Sequence, residues 1–199
     1  MRRRGFTLIE LMIALVISLV VVTLAYGAVQ TGMDTGERVQ GVRTGIQERA
    51  AAREVLIDAL RHALPGIAGG PAVFELIDSV GADGLPHDRL RLVTRGVLPP
   101  LGTGEGWLVT LGGTADVVMD AVTEQPQEEG RYRGVFRGAR GLDIRVRGNA
   151  PGAPWREVWD DPGRAPSAVS VSFIGADGQP DRTPLVVRIG LESPLQGAQ

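Results

Sequence analysis

The sequence contains no cysteine and no lysine, and its only histidines are His62 and His87. The absence of cysteine excludes disulfide bonds, thiol nucleophiles and thiolate metal sites. Two histidines leave little for a histidine-based metal cluster. The 21 basic and 23 acidic residues give a formal net charge of −2, which is too balanced for a nucleic-acid-binding domain. The composition therefore predicts a non-catalytic or weakly catalytic protein without a nucleic-acid partner, and we expect no catalytic, metal or cofactor-binding residues.

Proline is absent from the amino-terminal third of the chain, since all 13 prolines lie at or after Pro65. Because proline costs about 3 kcal/mol inside a helix, this stretch is compatible with one long helix. After Pro65 the sequence changes to short alternating runs that are interrupted by glycine and proline. We therefore expect a boundary between Pro65 and Gly70, and a β-rich domain over residues 65–199.

An apolar segment follows the first five residues, Met-Arg-Arg-Arg-Gly, and positions 11–33 carry no charge at all. A helix over those positions reaches roughly 34 Å at about 1.5 Å per residue, against a hydrocarbon core of about 30 Å. The segment can therefore span a bilayer. Arginines on its amino side predict a cytoplasmic N-terminus and export of the rest of the chain.

Glu10 is the only charged residue between Phe6 and Gln30. A carboxylate near the start of a membrane helix is costly, which makes it a functional hypothesis by default. A cleaved signal peptide, with a cut near the small residues at 25–28, is one alternative reading of the segment. A plain signal anchor is another. Neither alternative accounts for Glu10.

The run from Arg4 to Met12, Arg-Gly-Phe-Thr-Leu-Ile-Glu-Leu-Met, resembles the processing and methylation site of type IV pilin-like proteins. In that family a basic leader ends in Gly, an aromatic residue begins the mature chain, and a Glu follows four residues later. The resemblance implies that a prepilin peptidase removes residues 1–5 by cutting between Gly5 and Phe6, and that the new amine of Phe6 is N-methylated. It also implies that residues 6–33 hold the protein in the bacterial inner membrane until Glu10 pairs with the terminal amine of a neighbouring subunit in a filament.

The helix is expected to continue past the membrane over residues 34–64. Apolar residues at spacings of three and four, interrupted at Arg53, predict one face for a globular partner. Glycines between Gly27 and Gly45 each cost up to roughly 1 kcal/mol against alanine, which predicts a kink or local melting there. The apolar stripe consists of Val39, Val42, Ile46, Ala50, Ile57, Leu60 and Leu64.

Alternation of apolar and polar residues with a period of two follows Pro65 and predicts antiparallel sheet with one buried face. The helix stripe is available to cover that face. The predicted fold class is therefore α+β: a long N-terminal helix, transmembrane in its first half and amphipathic in its second, packed on antiparallel β-sheet. The predicted strands are 89–95, 107–111, 117–119, 132–136, 142–146, 169–173 and 187–191.

The order of segments in the β-rich part is similar to that of J-type minor pseudopilins of type II secretion. A basic-apolar strand at 89–95 is followed by a strand at 141–146, a Trp-bearing segment at 155–159 and a strand that follows Pro166. Residues 99–129 depart from that family, because they form a shorter and more glycine-rich region.

This resemblance implies a structural subunit at or near the tip of a periplasmic pseudopilus, which helps initiate assembly and supports protein secretion across the outer membrane. The implied partners are the prepilin peptidase, the major pseudopilin and the I-type and K-type minor pseudopilins. A minor pilin of a type IV pilus or of a competence pseudopilus is the alternative. A membrane-anchored periplasmic binding module is a further alternative, and we expect no enzymatic activity.

Acidic and aromatic residues offer few other sites. The acids lack the 1-3-5 oxygen spacing of a calcium loop and are interpreted as solvated turn residues. Trp155 and Trp159 are predicted to pack in the core or at an interface. Two surfaces are predicted to contact partners: the outward helix face between 36 and 62, and the loops at 155–161. The acids considered are Glu128, Glu129, Asp160, Asp161 and Asp177.

The two histidines have no serine or acidic partner that is evident from spacing. Ser170 and Ser172 occupy alternate strand positions and are predicted to face solvent. A hydrolase triad is therefore not expected.

Overall fold

The computed structural model describes residues 8–102, 106–124, 130–180 and 182–190, and in these ranges all side chains except those of residues 32, 34–39 and 42. The chain divides into two compact units, Met1–Ile46 and Gln47–Gln199. The predicted leader, with Gly5, lies outside the described residues. The elements in chain order are helix α1 (Leu8–Arg61) and strands β1 (Phe74–Ile77), β2 (Arg89–Thr94), β3 (Trp107–Gly112), β4 (Val117–Thr123), β5 (Arg131–Phe136), β6 (Gly141–Arg147), β7 (Trp155–Arg156), β8 (Ala168–Ile174) and β9 (Leu185–Arg188).

Helix α1 begins in the apolar segment, where no proline interrupts it. Its first part, Leu8–Thr31, is long and apolar enough to cross a membrane, with a mean hydropathy of 2.8 and no buried residue. The backbone is helical at every position from Gly27 to Gly45, so the predicted local melting is wrong. The cost of each glycine is small beside the many hydrogen bonds of a helix of this length.

The residues of α1 that belong to the second unit pack on its sheets through small and medium side chains. The predicted stripe is wrong at Ile46 and Ala50, which are exposed, and right at Leu60, which is fully buried. The helix approaches the sheet closely, because a Cβ added at Gly134 of β5 would lie 3.0 Å from the Cβ of Ala52. Alanines therefore form much of the packed face, which consists of Ala52, Val55, Leu56, Ala59 and Leu60, with Ala63 just after the helix.

Five strands form the first sheet in the order β1-β2-β3-β4-β5, and all neighbouring strands are antiparallel. The predicted strands at 89–95, 107–111, 117–119 and 132–136 are confirmed. Strand β1 was not predicted, because its four residues are too few to establish an alternation. Leu90, Leu92 and Thr94 of β2 are buried on one face, as their alternation predicts.

Four strands form the second sheet in the order β7-β6-β8-β9, again antiparallel throughout. Ile144 of β6 pairs with Val171 of β8, and both side chains are fully buried. The predicted strands at 142–146 and 169–173 are confirmed. Strand β9 ends at Arg188, so the predicted strand at 187–191 is only partly observed, and Leu191 lies outside the described residues.

One hydrophobic core joins the two sheets and the end of α1. Phe136 at the end of β5 stacks on Phe173 of β8, with ring centroids 4.4 Å apart and an interplanar angle of 24°. The predicted α+β class with antiparallel strands is confirmed. The division of the strands into two sheets was not predicted.

Candidate functional site

Glu10 lies in the first turn of α1, and its side chain is exposed. Its neighbours on the helix are large and apolar, and Leu8, Leu11 and Met12 are each more than half exposed. A helix N-terminus favours a carboxylate in its first turn, because the backbone N–H groups there carry partial positive charge. An acid therefore stands at the start of an exposed apolar helix. Gly5 and Phe6 lie outside the described residues, so cleavage, methylation and the pairing of Glu10 stay predictions.

The two tryptophans of the segment at 155–161 have different environments. Trp159 is half-buried, its Nε1–H donates to the carbonyl oxygen of Arg164 at 2.7 Å, and its ring meets Phe74 edge-on with centroids 6.5 Å apart. Trp155 on β7 is 40% exposed, and Val158 is 53% exposed. Trp159 is therefore a packing residue. Trp155 and Val158 are the exposed apolar side chains of this predicted partner surface.

A buried acid on α1 fixes the loop that follows β2. Asp58 is 4% exposed, and its Oδ2 accepts hydrogen bonds from the backbone N–H groups of Val97 at 2.8 Å and Leu98 at 3.1 Å. Its Oδ1 lies 3.1 Å from Nδ1 of His62. His62 thus has an acidic partner, contrary to the sequence analysis. The i,i+4 spacing of the two residues on one helix was the signal that the sequence analysis missed.

His87 likewise has an acidic partner that spacing did not reveal. Its side chain is only 7% exposed, and its Nε2 lies 3.0 and 3.1 Å from the two carboxylate oxygens of Asp83. Its Nδ1 lies 3.0 Å from the carbonyl oxygen of Gly113 in the β3–β4 turn. These groups, with Arg89 and Thr114, line an open cleft of about 450 Å³.

Asp88 joins the two sheets. The N–H of Leu142 on β6 donates to the carbonyl oxygen of Pro86 at 2.7 Å, and the carbonyl oxygen of Leu142 accepts from the N–H of Asp88 at 3.0 Å. These two bonds form a short parallel pairing of the β1–β2 connection with β6. The side chain of Asp88 then accepts the next hydrogen bond, from the N–H of Ile144 at 2.6 Å, and a second from the N–H of Ser79 at 3.2 Å. Burial raises the pKa of Asp88 to about 6, and the two backbone hydrogen bonds oppose that rise.

The acidic turn residues form no metal centre within the described ranges, where no group of three or more His, Cys, Asp or Glu side chains could hold a metal ion. Asp177 accepts a hydrogen bond from the N–H of Gln179 at 3.1 Å, and Asp160 lies 4.0 Å from Arg156. Glu128 and Glu129 lie outside the described residues.

Ser172 does not face solvent as the sequence analysis predicted. It is 8% exposed, and Ser170 is half-buried.

Comparison with known families and structures finds two similarities. Residues 1–26 match the model of the prokaryotic N-terminal methylation motif. No curated protein matches the sequence. Among solved structures, a chain of the GspK-GspI-GspJ complex from the type 2 secretion system of enterotoxigenic Escherichia coli is 17% identical, with a TM-score of 0.49 over 78% of this chain and 99% of that chain. A likeness this low assigns no function. The motif match confirms the predicted type IV prepilin segment at the N-terminus.

Proposed function

We propose that this protein is a minor pseudopilin, a structural subunit at or near the tip of a periplasmic pseudopilus that helps initiate assembly and supports type II protein secretion. The observation that carries the proposal is the N-terminal methylation motif over residues 1–26, which overlaps the exposed apolar helix Leu8–Thr31. Support for a J-type subunit is the order of β2, β6, β7 and β8, which is similar to the order in that subfamily. The proposed role is structural, without enzymatic activity.

Glu10 supplies the proposed assembly contact. In the membrane its carboxylate stands among apolar side chains, whereas in a filament it would meet the methylated amine of Phe6 on a neighbouring subunit. A pair of opposite charges in a low-dielectric environment is favourable when both partners are well placed, and removal of one partner costs about 3–5 kcal/mol. The pair would therefore fix the position of one subunit against the next.

The second unit offers the proposed contacts to other minor pseudopilins. Trp155 and Val158 are exposed on the edge strand β7 and the residues after it. Large aromatic side chains are frequent hot spots at interfaces, where truncation costs about 2 kcal/mol or more. A tip subunit has filament neighbours on one side only, so we expect contacts with I-type and K-type subunits rather than with a second copy of this chain.

The first experiment tests processing and assembly together. We expect the mature wild-type chain to begin at a methylated Phe6 in mass spectrometry, and Glu10→Ala to be cut at the same bond. Glu10→Ala should be lost from filaments, measured by cross-linking to the major pseudopilin of the same bacterium. Asp177→Ala is the control, because Asp177 is an exposed acid outside both predicted partner surfaces. A mature terminus near residue 28, or normal assembly of Glu10→Ala, would contradict the proposal.

The second experiment tests the partners. A fragment that begins near Gly36 should be monomeric alone and should associate with matching I-type and K-type fragments in size-exclusion chromatography with light scattering. Trp155→Ala should weaken that association by about 2 kcal/mol. Val186→Ala is the control, because Val186 is 58% exposed on β9 at the opposite edge of the same sheet.

A stable homodimer of this fragment, or no association with either partner fragment, would favour the alternative function. That alternative is a minor pilin of a type IV pilus or of a competence pseudopilus, which carries the same N-terminal motif.

A further inference from the structure

The connection between β1 and β2 is fastened to the β3–β4 turn by one buried histidine. The Nδ1 of His87 lies 3.0 Å from the carbonyl oxygen of Gly113, and its Nε2 lies within 3.1 Å of both carboxylate oxygens of Asp83. Asp83 itself lies at the tip of the connection, where it also accepts a hydrogen bond from the N–H of Leu85 at 3.1 Å. The ring of His87 therefore bridges the tip and the turn.

The protonation of this ring follows from its two partners. A carbonyl oxygen can only accept a hydrogen bond, so Nδ1 carries a hydrogen. An ionised carboxylate can also only accept, so Nε2 must carry a hydrogen as well. Both contacts are satisfied only when His87 is an imidazolium. A neutral ring would turn a lone pair toward one of the two acceptors.

We propose that His87 and Asp83 form a proton-controlled latch, which fastens the tip at residues 80–85 to the β3–β4 turn while the ring is charged and releases the tip when the ring is neutral. The contact to Gly113 persists on deprotonation, because that carbonyl belongs to the turn backbone. The contact to Asp83 is lost, because its side chain is 47% exposed and can rotate into water. Release of the tip widens the cleft of about 450 Å³ between the connection and the turn.

Charged groups on the neighbouring elements set where the latch operates. Asp83 and Asp88 on the connection favour the imidazolium. Arg89 on β2 lines the same cleft and places a positive charge there. Arg140 lies beside the turn, where it donates to the carbonyl oxygen of Ala115 at 3.0 Å. Farther away, Asp78 and Asp143 act on Asp88 from the connection and from β6.

The direction of the shifts agrees with the geometry. The hydrogen bond to Gly113, followed by that to Asp83, raises the pKa of His87 above its ordinary value of 6.5, although burial opposes the rise. The hydrogen bond from His87 is the main cause that lowers the pKa of Asp83 below 3.8. The latch is therefore fully closed below the ordinary pKa of histidine and above that of aspartate. It opens as the pH rises through the raised pKa of His87.

The test uses the full chain in detergent micelles, labelled uniformly with ¹⁵N so that both the histidine rings and the glycine amides are observed. The chain contains only two histidines, so His62→Gln assigns the two ring signals. We expect the His87 ring to titrate above its ordinary value, with both nitrogens protonated below the midpoint. Protection of the Gly81 and Gly84 amides from hydrogen exchange should fall as the pH rises through that midpoint, since both donate hydrogen bonds within the connection.

The variant Asp83→Asn distinguishes a contact that depends on the protonation of His87 from one that is only structural. An asparagine can accept from a charged ring through its carbonyl oxygen or donate to a neutral ring through its amide, so it keeps the contact in both states. We therefore expect a lower His87 midpoint and amide protection that no longer depends on pH. Asp177→Asn is the matched control, because Asp177 makes the same bond to the N–H two residues later, at 3.1 Å. It should behave as wild type.

Two results would overturn the latch. One is a His87 ring that titrates at or below the ordinary histidine value in the wild-type chain. The other is a loss of amide protection with rising pH that is the same in Asp83→Asn as in wild type.

Discussion

Truncation of Asp58 should lower the free energy of unfolding of the second unit, because two backbone N–H groups lose their acceptor. Asp58→Ala removes the acceptor of two backbone N–H groups, those of Val97 and Leu98, and the partner of His62. A buried donor without an acceptor costs about 1–3 kcal/mol. The side chains of Val97 and Leu98 are more than half exposed, so water can reach part of the loop after truncation. We therefore expect a loss of about 2–3 kcal/mol, in the lower half of the range for two donors.

Urea unfolding of the full chain in detergent, followed by tryptophan fluorescence, measures this loss, because Trp107, Trp155 and Trp159 all lie in the second unit. Asp58→Asn should lose less than Asp58→Ala, since its amide oxygen can still accept from the loop. Glu54→Ala, an exposed acid one turn earlier, should change the free energy of unfolding by at most about 0.5 kcal/mol. If Asp58→Ala unfolds at the same urea concentration as Glu54→Ala, the loop does not depend on this carboxylate and the reasoning fails.

Three further changes probe the rest of the second unit by the same unfolding assay. Burial raises the pKa of Asp88 to about 6, so between pH 4 and 6 the folded state keeps a proton that the unfolded state releases. The free energy of unfolding of the wild type should therefore fall by at most about 3 kcal/mol as the pH rises from 4 to 6, and Asp88→Asn should remove that fall. An unchanged pH profile in the variant would refute the assignment. Gly134→Val should lower the free energy of unfolding by about 1–3 kcal/mol through overpacking against Ala52. Gly148→Val should lower it clearly less, because the space around Gly148 is larger, and equal losses would argue against close helix packing. Trp159→Phe should cost about 1 kcal/mol through loss of its hydrogen bond, and a loss no larger than that of Trp155→Phe would exclude this bond as a stabilising contact.

The helix face shows where sequence reasoning reached its limit. Large apolar residues marked Ile46 as a packed position, and it is exposed. The face that packs contains Ala52 and Ala59, whose small side chains carry little hydropathy signal but let the helix approach the sheet. Which face is buried depends on the shape of the partner surface, and a single-sequence periodicity does not contain that shape.

The strands were predicted well because their information is local. Leu142, Ile144 and Val146 alternate with polar residues, and a strand with one buried face requires that alternation whatever its neighbours are. The assignment of strands to two sheets is different. It depends on the point near Asp88 where the chain stops pairing with β6 and begins to pair with β3, and nothing in the local pattern of residues 86–90 marks that change.

The sequence by itself determined the match of the N-terminal segment to the methylation motif, since the residues of the motif and the apolar run are contiguous and their pattern needs no tertiary contact. Tertiary structure alone decided the polar contacts of the second unit. Asp58 binds a loop 39 residues away, Asp88 binds a strand 56 residues away and His87 binds a turn 26 residues away. Contacts over such distances are created only when the chain folds and brings a buried acid or imidazole to the one backbone group that can satisfy it, because an unsatisfied polar group is too costly to bury.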